Sequence, residues 1–350
     1  MSSFADLADA LAERAHVGVG LLRALAISAA VRLVEGAVPG PPLPPGPLPE
    51  AERDLTRRLV ELFEDDWRLA RAGLIPASSL GLPWLQYAAL LPSFLADLPA
   101  VHARMRSGRT RELAAQARPE RYPRYFARNF HWQSEGWLGH RSARLYDLQV
   151  ELVFGGAADA MRRRMVPPVV ELARALPDAP LQVLDVACGT GRLLRMLGEA
   201  IPGARLTGVD LSPYYVSYAR AALPRALDVS LVCENAEALP FPDGRFDATT
   251  CLYLFHELPP KVRTRVMAEL ARVTRPGGRV VVGDSLQAMD APALRAVLEA
   301  FPVRYHEPFY AGYLREDLGT RAEEAGLRVR SVRHAFLTKV VVAEKTLPSP

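Results

Sequence analysis

Apolar and polar positions fall into two regimes along the chain. From Pro167 onward a helix carries Val169, Leu172, Ala173 and Leu176 on one face, and the apolar run from Leu181 to Ala187 reads as a buried strand. A glycine turn, a short helix and a second strand over Arg205 to Asp210 follow, and the alternation continues through Val341. Strands alternating with helices predict a mostly parallel sheet covered by helices on both faces. Upstream the pattern is helical. Phe4, Leu7 and Leu11 share a face in a first helix from Phe4 to about Ala15, with Ser3 and Asp6 as its capping pattern, and a second apolar helix spans Leu21 to Leu33. Seven prolines in the eleven residues from Pro39 to Pro49 predict an extended polyproline linker. From Glu50 to Arg71 the spacing of Leu55, Leu59, Leu62 and Phe63 predicts an amphipathic helix, and helical character continues to about Ser107. Residues Tyr122 to Trp137 are aromatic and irregular, and helix signals resume near Ser142. The chain therefore divides into a helical region at 1–130 with the linker at 39–49, an aromatic and helical lid segment at 131–166, and an α/β domain at 167–350.

Composition narrows the class. With 350 residues, 49% hydrophobic and 23% charged, the chain matches an ordinary globular protein and is neither disordered nor collagen-like. The stretch from Ala72 to Ala96 holds no charge, but Pro76, Pro83 and Pro92 interrupt it, so a buried helix near Trp84 to Leu95 is expected in place of a membrane span. Net charge is only +4, and 40 of the 43 basic residues are arginines. Fourteen of them lie between Val101 and Ala175 against seven acids, an excess that fits either solvated helix faces or attraction of an anionic ligand. No nucleic-acid reader motif accompanies them, so nucleic acid is not an expected partner. Cys188, Cys233 and Cys251 lie far apart, which supports neither a disulfide framework nor a zinc site. A reducing cytoplasm fits, and the opening residues lack the basic region of a secretory signal.

The chemistry concentrates in Val183-Leu-Asp-Val-Ala-Cys-Gly-Thr-Gly-Arg-Leu-Leu194. A buried strand ends in a glycine turn and opens a helix, so backbone N–H groups converge where a ligand approaches without a Cβ in the way. Nineteen residues after Gly191 the next strand ends at Asp210, where a carboxylate can accept hydrogen bonds from ribose hydroxyls. Leu194 occupies the third glycine position of a dinucleotide fingerprint, which disfavours a nicotinamide oxidoreductase, as does the Pro-Gly-Gly before the fifth strand. Asp185, at the end of the first strand, suits an amino group better than a pyrophosphate.

With these motifs the sequence resembles the class I S-adenosylmethionine-dependent methyltransferases that act on small molecules, over about Pro167 to Lys345. Leu184 to Gly191 is similar to the first family motif and Gly208-Val-Asp-Leu-Ser212 to the second. Glu234-Asn-Ala-Glu-Ala-Leu-Pro-Phe-Pro242 resembles the adenine-side loop, with Glu234-Asn235-Ala236 where the family commonly has Gly-Asp-Ala. Phe246 to Leu258 resembles the fourth strand and its loop, and Leu270 to Gly283 a helix stopped by Pro-Gly-Gly before a fifth strand. The resemblance implies a Rossmann-like, seven-stranded, mostly parallel sheet with an antiparallel last strand, formed by Leu327 to Val332 and Phe336 to Val342, behind an α-helical N-terminal domain. It implies S-adenosyl-L-methionine as cofactor, held by Asp185, Ala187, Gly189, Gly191, Asp210, Leu211, Asn235, Ala236 and Leu252. Tyr146 and Arg163, ahead of the core, are nominated for the cofactor carboxylate, although Arg162 to Arg164 equally suit a solvated helix face. His256, in Leu254-Phe-His-Glu257, resembles the general base of plant-type O-methyltransferases; the plainer reading is a loop histidine bonded to backbone. The aromatic runs Tyr122 to Trp137 and Tyr305 to Tyr313 are candidates for a lid and an acceptor pocket, or for ordinary interdomain packing.

Methyl transfer from a sulfonium is an in-line displacement that requires no metal, so none is expected. The acceptor is a small molecule, and the N-terminal helices offer a homodimer surface. The alternative is a non-catalytic S-adenosylmethionine-binding module working through its helical N-terminal region.

Overall fold

The computed structural model describes residues 4–37, 48–113 and 117–347. Six helices precede the sheet: α1 (Phe4–Ala37), α2 (Pro49–Arg71), α3 (Trp84–Ser107), α4 (His140–Val153), α5 (Ala158–Arg163) and α6 (Val166–Ala175). The expected break between two N-terminal helices does not occur. No proline interrupts α1, and Gly18 and Gly20 are carried within it. Gly20 is there for packing: a Cβ at that position would stand 2.6 Å from the ring of Phe63 on α2. The polyproline linker falls largely on residues 38–47, and Ser3 of the first capping pattern on residues 1–3, both outside the described residues.

α3 is helical where expected but not buried as expected. Tyr87 and Leu90 face Leu145 and Leu148 of α4, whereas Trp84, Leu85, Leu91 and Leu95 are exposed. Among the described residues the segment long and apolar enough to cross a membrane, by length and composition, is instead Ala8–Leu33 of α1, only 17% of it buried. Leu11, Val19, Leu22, Leu25 and Leu33 of that segment are exposed.

The remaining elements are β1 (Gln182–Val186), α7 (Arg192–Ala200), β2 (Arg205–Asp210), α8 (Pro213–Ala222), β3 (Val229–Cys233), β4 (Phe246–Leu252), α9 (Pro260–Val273), β5 (Thr274–Ser285), α10 (Arg295–Tyr305), α11 (Tyr310–Tyr313), α12 (Leu318–Glu324), β6 (Leu327–Ala335) and β7 (Thr338–Lys345). The seven strands lie in the order β3-β2-β1-β4-β5-β7-β6. Only β7 runs antiparallel, to both β5 and β6, because it returns from β6 through a two-residue turn in which Phe336 has φ 55°.

Strand periodicity explains the two-sided core. Val183 packs with α6 and α7 on one face, whereas Leu184 and Val186 pack with Val266 and Leu270 of α9 on the other. Chain direction reverses across the sheet at β1, which has β2 on one side and β4 on the other. In open α/β sheets the crevice beyond the carboxyl ends of such strands is where ligands bind.

The N-terminal helices share the interior of the sheet domain. Leu62 and Phe63 of α2 pack with Ala158 and Met161 of α5 and with Ala335 of β6. Asp66, fully buried on α2, accepts hydrogen bonds from Arg163 Nε at 2.9 and 3.0 Å and from Arg164 Nη2 at 3.2 Å. Arg162, Arg163 and Arg164 were candidates for a solvated face; they are in fact enclosed, because α5 runs between α2 and the sheet with acids on both sides.

Candidate functional site

β1 delivers its carboxyl end into a turn that only certain residues can make. Gly189 and Gly191 have φ of 54° and 79°, in the left-handed region that glycine occupies without strain. Ala187 (φ 58°) and Tyr253 (φ 56°), just past β1 and β4, adopt the same region without being glycine. Such strain persists where the surroundings over-determine it, as at binding sites, and both residues wall a cleft at the switch point of the sheet.

Two carboxylates dominate this cleft. Asp210, at the end of β2, accepts the Gly189 N–H at 2.9 Å on one oxygen and the Ser212 N–H at 2.8 Å on the other. Burial raises its pKa to about 6 against the lowering effect of those two donors. Asp185 is 2% exposed and accepts from Thr250 Oγ1 at 2.7 Å. Desolvation pushes its pKa to about 7, with Thr250 opposing. No side-chain cation forms an ion pair with either among the described residues.

These shifts carry a sign for stability. A carboxyl whose folded pKa is raised holds a proton that the unfolded chain releases. Stability is therefore greatest below the unfolded pKa and falls as pH rises towards 7. Asp185→Asn should raise the thermal midpoint of the ligand-free protein at pH 8 by a few degrees, a gain of roughly 2–4 kcal/mol, and the gain should shrink by pH 5.5. Equal midpoints at pH 8 would show that Asp185 is not held against desolvation.

Of the residues expected at a cofactor site, Asp185, Ala187, Gly189, Asp210, Leu211, Asn235, Ala236, Leu252 and Tyr146 wall this cleft. Gly191 does not. It closes the turn, and a Cβ there would come within 3.1 Å of Leu223. Arg163 does not reach the cleft either, because Asp66 holds it towards α2, and its neighbour Arg162 stands in the wall together with Arg192 of α7. Successive residues on a helix point about 100° apart, so one position decides the matter. Arg162 is anchored by Asp159, three residues earlier, which also binds Arg192 Nε at 2.7 Å; with these cations beside it, the Asp159 pKa is lowered to about 2 despite burial. That i,i+3 acid was the one sequence signal pointing to Arg162.

Sequence reasoning named Trp137 and Tyr146 but passed over Tyr215, which joins them in one ring cluster in the cleft wall. Trp137, Tyr146 and Tyr215 meet edge-on with centroids 5.6 to 5.7 Å apart, and the Trp137 carbonyl accepts from Ser212 Oγ at 2.5 Å. Tyr125, Phe126, Phe130 and Trp137 all wall the cleft, so the Tyr122 to Trp137 run covers it as a lid segment would. The second aromatic run does not line it. Tyr310 and Tyr313 pack instead around the imidazole of His256, at 5.7 and 6.3 Å.

His256 is placed differently from a general base. Its ring is buried outside the cleft wall, and Nδ1 lies 2.5 Å from Asp284 Oδ1. Burial works to lower its pKa, but Asp284, Glu307 and Glu257 together outweigh burial and push it up to about 10. These carboxylates favour the protonated ring, which works against a role as base. The plainer reading fails too, since its side-chain partner is a carboxylate and not backbone. Glu257, the next residue, is the one that reaches the cleft.

Comparison with known proteins follows the same lines. A family model described as a methyltransferase domain matches residues 183–278. A demethylmenaquinone methyltransferase of Thermus thermophilus is 43% identical over 138 residues, covering 39% of this chain and 59% of that one. A demethylmenaquinone methyltransferase of Thermotoga maritima is 30% identical over 180 residues, covering 51% of this chain and 73% of that one. The chain thus spans less than two thirds of the length of the first of these relatives. Among solved structures, magnesium protoporphyrin IX methyltransferase from Synechocystis, with bound SAH, aligns at a TM-score of 0.40 and 18% identity over 57% of this chain and 87% of that one.

Proposed function

Because the chain belongs to the class I S-adenosylmethionine-dependent methyltransferases, we propose that it transfers a methyl group from S-adenosylmethionine to a small, planar, largely apolar acceptor. The observation that carries this reading is the Asp210 carboxylate, half-buried at the sheet's switch point with both oxygens oriented by backbone donors and, among the described residues, no cation paired to it.

The residues present fit the cofactor. S-Adenosylmethionine, when bound, supplies a sulfonium methyl group activated for in-line displacement. Asp210 accepts hydrogen bonds from vicinal ribose hydroxyls, its oxygens already aimed by Gly189 and Ser212. Asp185, desolvated and bonded only to neutral partners, favours an ammonium group beside it, while Arg162 supplies the cation for a carboxylate. Leu211, Asn235 and Ala236, in the same wall, would flank the adenine. Trp137, Tyr146 and Tyr215 present aromatic faces and edges to a cation and shut out water.

The chain's contribution to rate is alignment of donor and acceptor, worth about 7–11 kcal/mol when reacting atoms are held in line. Phe130, Tyr253, Leu254 and Leu258 add an apolar stretch to the cleft wall. That lining supports a ring-shaped acceptor, of the kind the demethylmenaquinone methyltransferases are named for. Calorimetric titration should give S-adenosylhomocysteine binding at one site per chain and no heat with NAD. Labelled methyl from S-adenosylmethionine should pass to a demethylated quinol. Binding of NAD in place of S-adenosylhomocysteine would overturn the cofactor reading, and transfer only to non-aromatic acceptors would overturn the acceptor class.

A further inference from the structure

Beside the cleft, four metal-ligating side chains converge from three separate parts of the chain. His131 Nε2 lies 2.9 Å from Glu257 Oε1 and 3.6 Å from Glu307 Oε1. His256 Nε2 lies 3.7 Å from Glu257 Oε1 and 3.6 Å from Glu307 Oε2. The ligand atoms of His131, Glu257 and Glu307 all fall within 4.8 Å of one another. In a tetrahedral zinc site, with metal–ligand bonds of about 2.0–2.2 Å, adjacent ligand atoms stand about 3.3–3.5 Å apart. The contacts of the two imidazoles with the two carboxylates, 2.9 to 3.7 Å, bracket that edge length, and His131, Glu257 and Glu307 form the mutually close set that His256 Nε2 borders through both carboxylates.

Two further observations point to an ion. Glu307 is 2% exposed, yet neither of its carboxylate oxygens has a hydrogen-bond partner, and Glu257 Oε2 is likewise buried and unpartnered. A buried carboxylate without donors is costly unless it is paired, protonated or bound to a metal. The other observation concerns His256. Asp284 Oδ1 takes its Nδ1 proton at 2.5 Å, and Asp284 is itself fixed by the N–H groups of Phe255 and Ser285, both at 2.7 Å. A carboxylate on the far nitrogen leaves Nε2 as the lone-pair donor and orients the ring, the outer-shell arrangement typical of metal-binding histidines.

We propose that His131 Nε2, His256 Nε2, Glu257 and Glu307 form a binding site for one divalent first-row transition ion of the zinc type. Two imidazoles with two carboxylates suit zinc, cobalt or iron(II) better than magnesium or calcium, which take oxygen ligands. Neutral imidazoles and two carboxylates also balance the ion's charge. Glu257 belongs to this set and to the cleft wall, so the ion sits where it can draw an acceptor oxygen and polarise it. A thiolate-based search of the sequence misses such a site because no cysteine takes part.

The inference is independent of the methyl-transfer reading, and so is its test. Chelator-treated full-length protein, without any adenosyl ligand, is titrated with Co²⁺ and then Zn²⁺. One Co²⁺ per chain with strong visible ligand-field absorption, displaced by one equivalent of Zn²⁺, is expected. Glu307→Gln and His131→Ala, each checked for folding by circular dichroism, should weaken Co²⁺ binding at least tenfold and alter the band. No uptake by the parent protein, or uptake unchanged in both variants, would overturn the proposal and leave the cluster as paired imidazolium and carboxylate groups. If Glu307→Gln does not fold, His131→Ala and the absorption of the parent protein still decide it. S-Adenosylhomocysteine binding, titrated separately, reports on the other reading.

Discussion

Asp66→Ala should lower the stability of the fold by about 3–5 kcal/mol, the usual effect of removing one partner of a buried ion pair. Asp66 is the only carboxylate within salt-bridge distance of Arg163 among the described residues, and Arg163 is itself 1% exposed. Without it, two guanidinium groups remain inside the protein facing only the carbonyls of Ser79 and Leu62. A charge left in that state must be hydrated by opening the structure or kept at the full desolvation penalty. The urea midpoint measured by tryptophan fluorescence reads the loss directly. A loss under about 1 kcal/mol would mean that water reaches the pair, contrary to its burial. Asp66→Asn should fall between, since it keeps shape and an acceptor but not charge. Because the pair fixes the rotation of α5, the same variant should weaken S-adenosylhomocysteine binding through Arg162.

Asp210→Ala should raise the dissociation constant for S-adenosylhomocysteine on the order of 10²-fold or more, with the fold retained. Two hydrogen bonds to a charged acceptor are lost, each worth about 1.5–3 kcal/mol. The Gly189 and Ser212 N–H groups lose the carboxylate that aims the turn. Stability should move little, because removing a carboxylate whose pKa burial holds at about 6 relieves desolvation as it deletes those bonds. That contrast separates a contact residue from a structural one. A constant within threefold of the parent value would take Asp210 out of the site. Asp210→Asn, which keeps one acceptor, should lie between the two.

These two residues also show how legibility varied along the chain. The place of Asp210 in the cleft wall was legible from its position alone, because strand order and the preceding glycine turn place the end of β2 beside the end of β1. Asp66 carried no signal. It is an ordinary acid on an amphipathic helix, and its partner lies 97 positions away. His256 was noticed for its neighbours in sequence, but its protonation is set by Asp284 and Glu307, which the sequence places 28 and 51 positions later. Glu307 itself sits in the aromatic run read as a pocket, where nothing marked it as a buried acid.

The amino-acid sequence by itself determined the alternating strand and helix order, the two faces of each strand, the glycine turn and the acidic residue that follows it. All of these depend on period, on φ and on residues close together in the chain. The tertiary structure decided which arginine of α5 meets the cleft, that α1 is one helix against Phe63, that His256 turns its ring to Asp284 outside the cleft wall, and that His131, Glu257 and Glu307 meet. Each of those depends on electrostatic or packing partners brought from distant segments. Desolvation and Coulomb terms act over a few ångströms of space, whatever the separation along the chain.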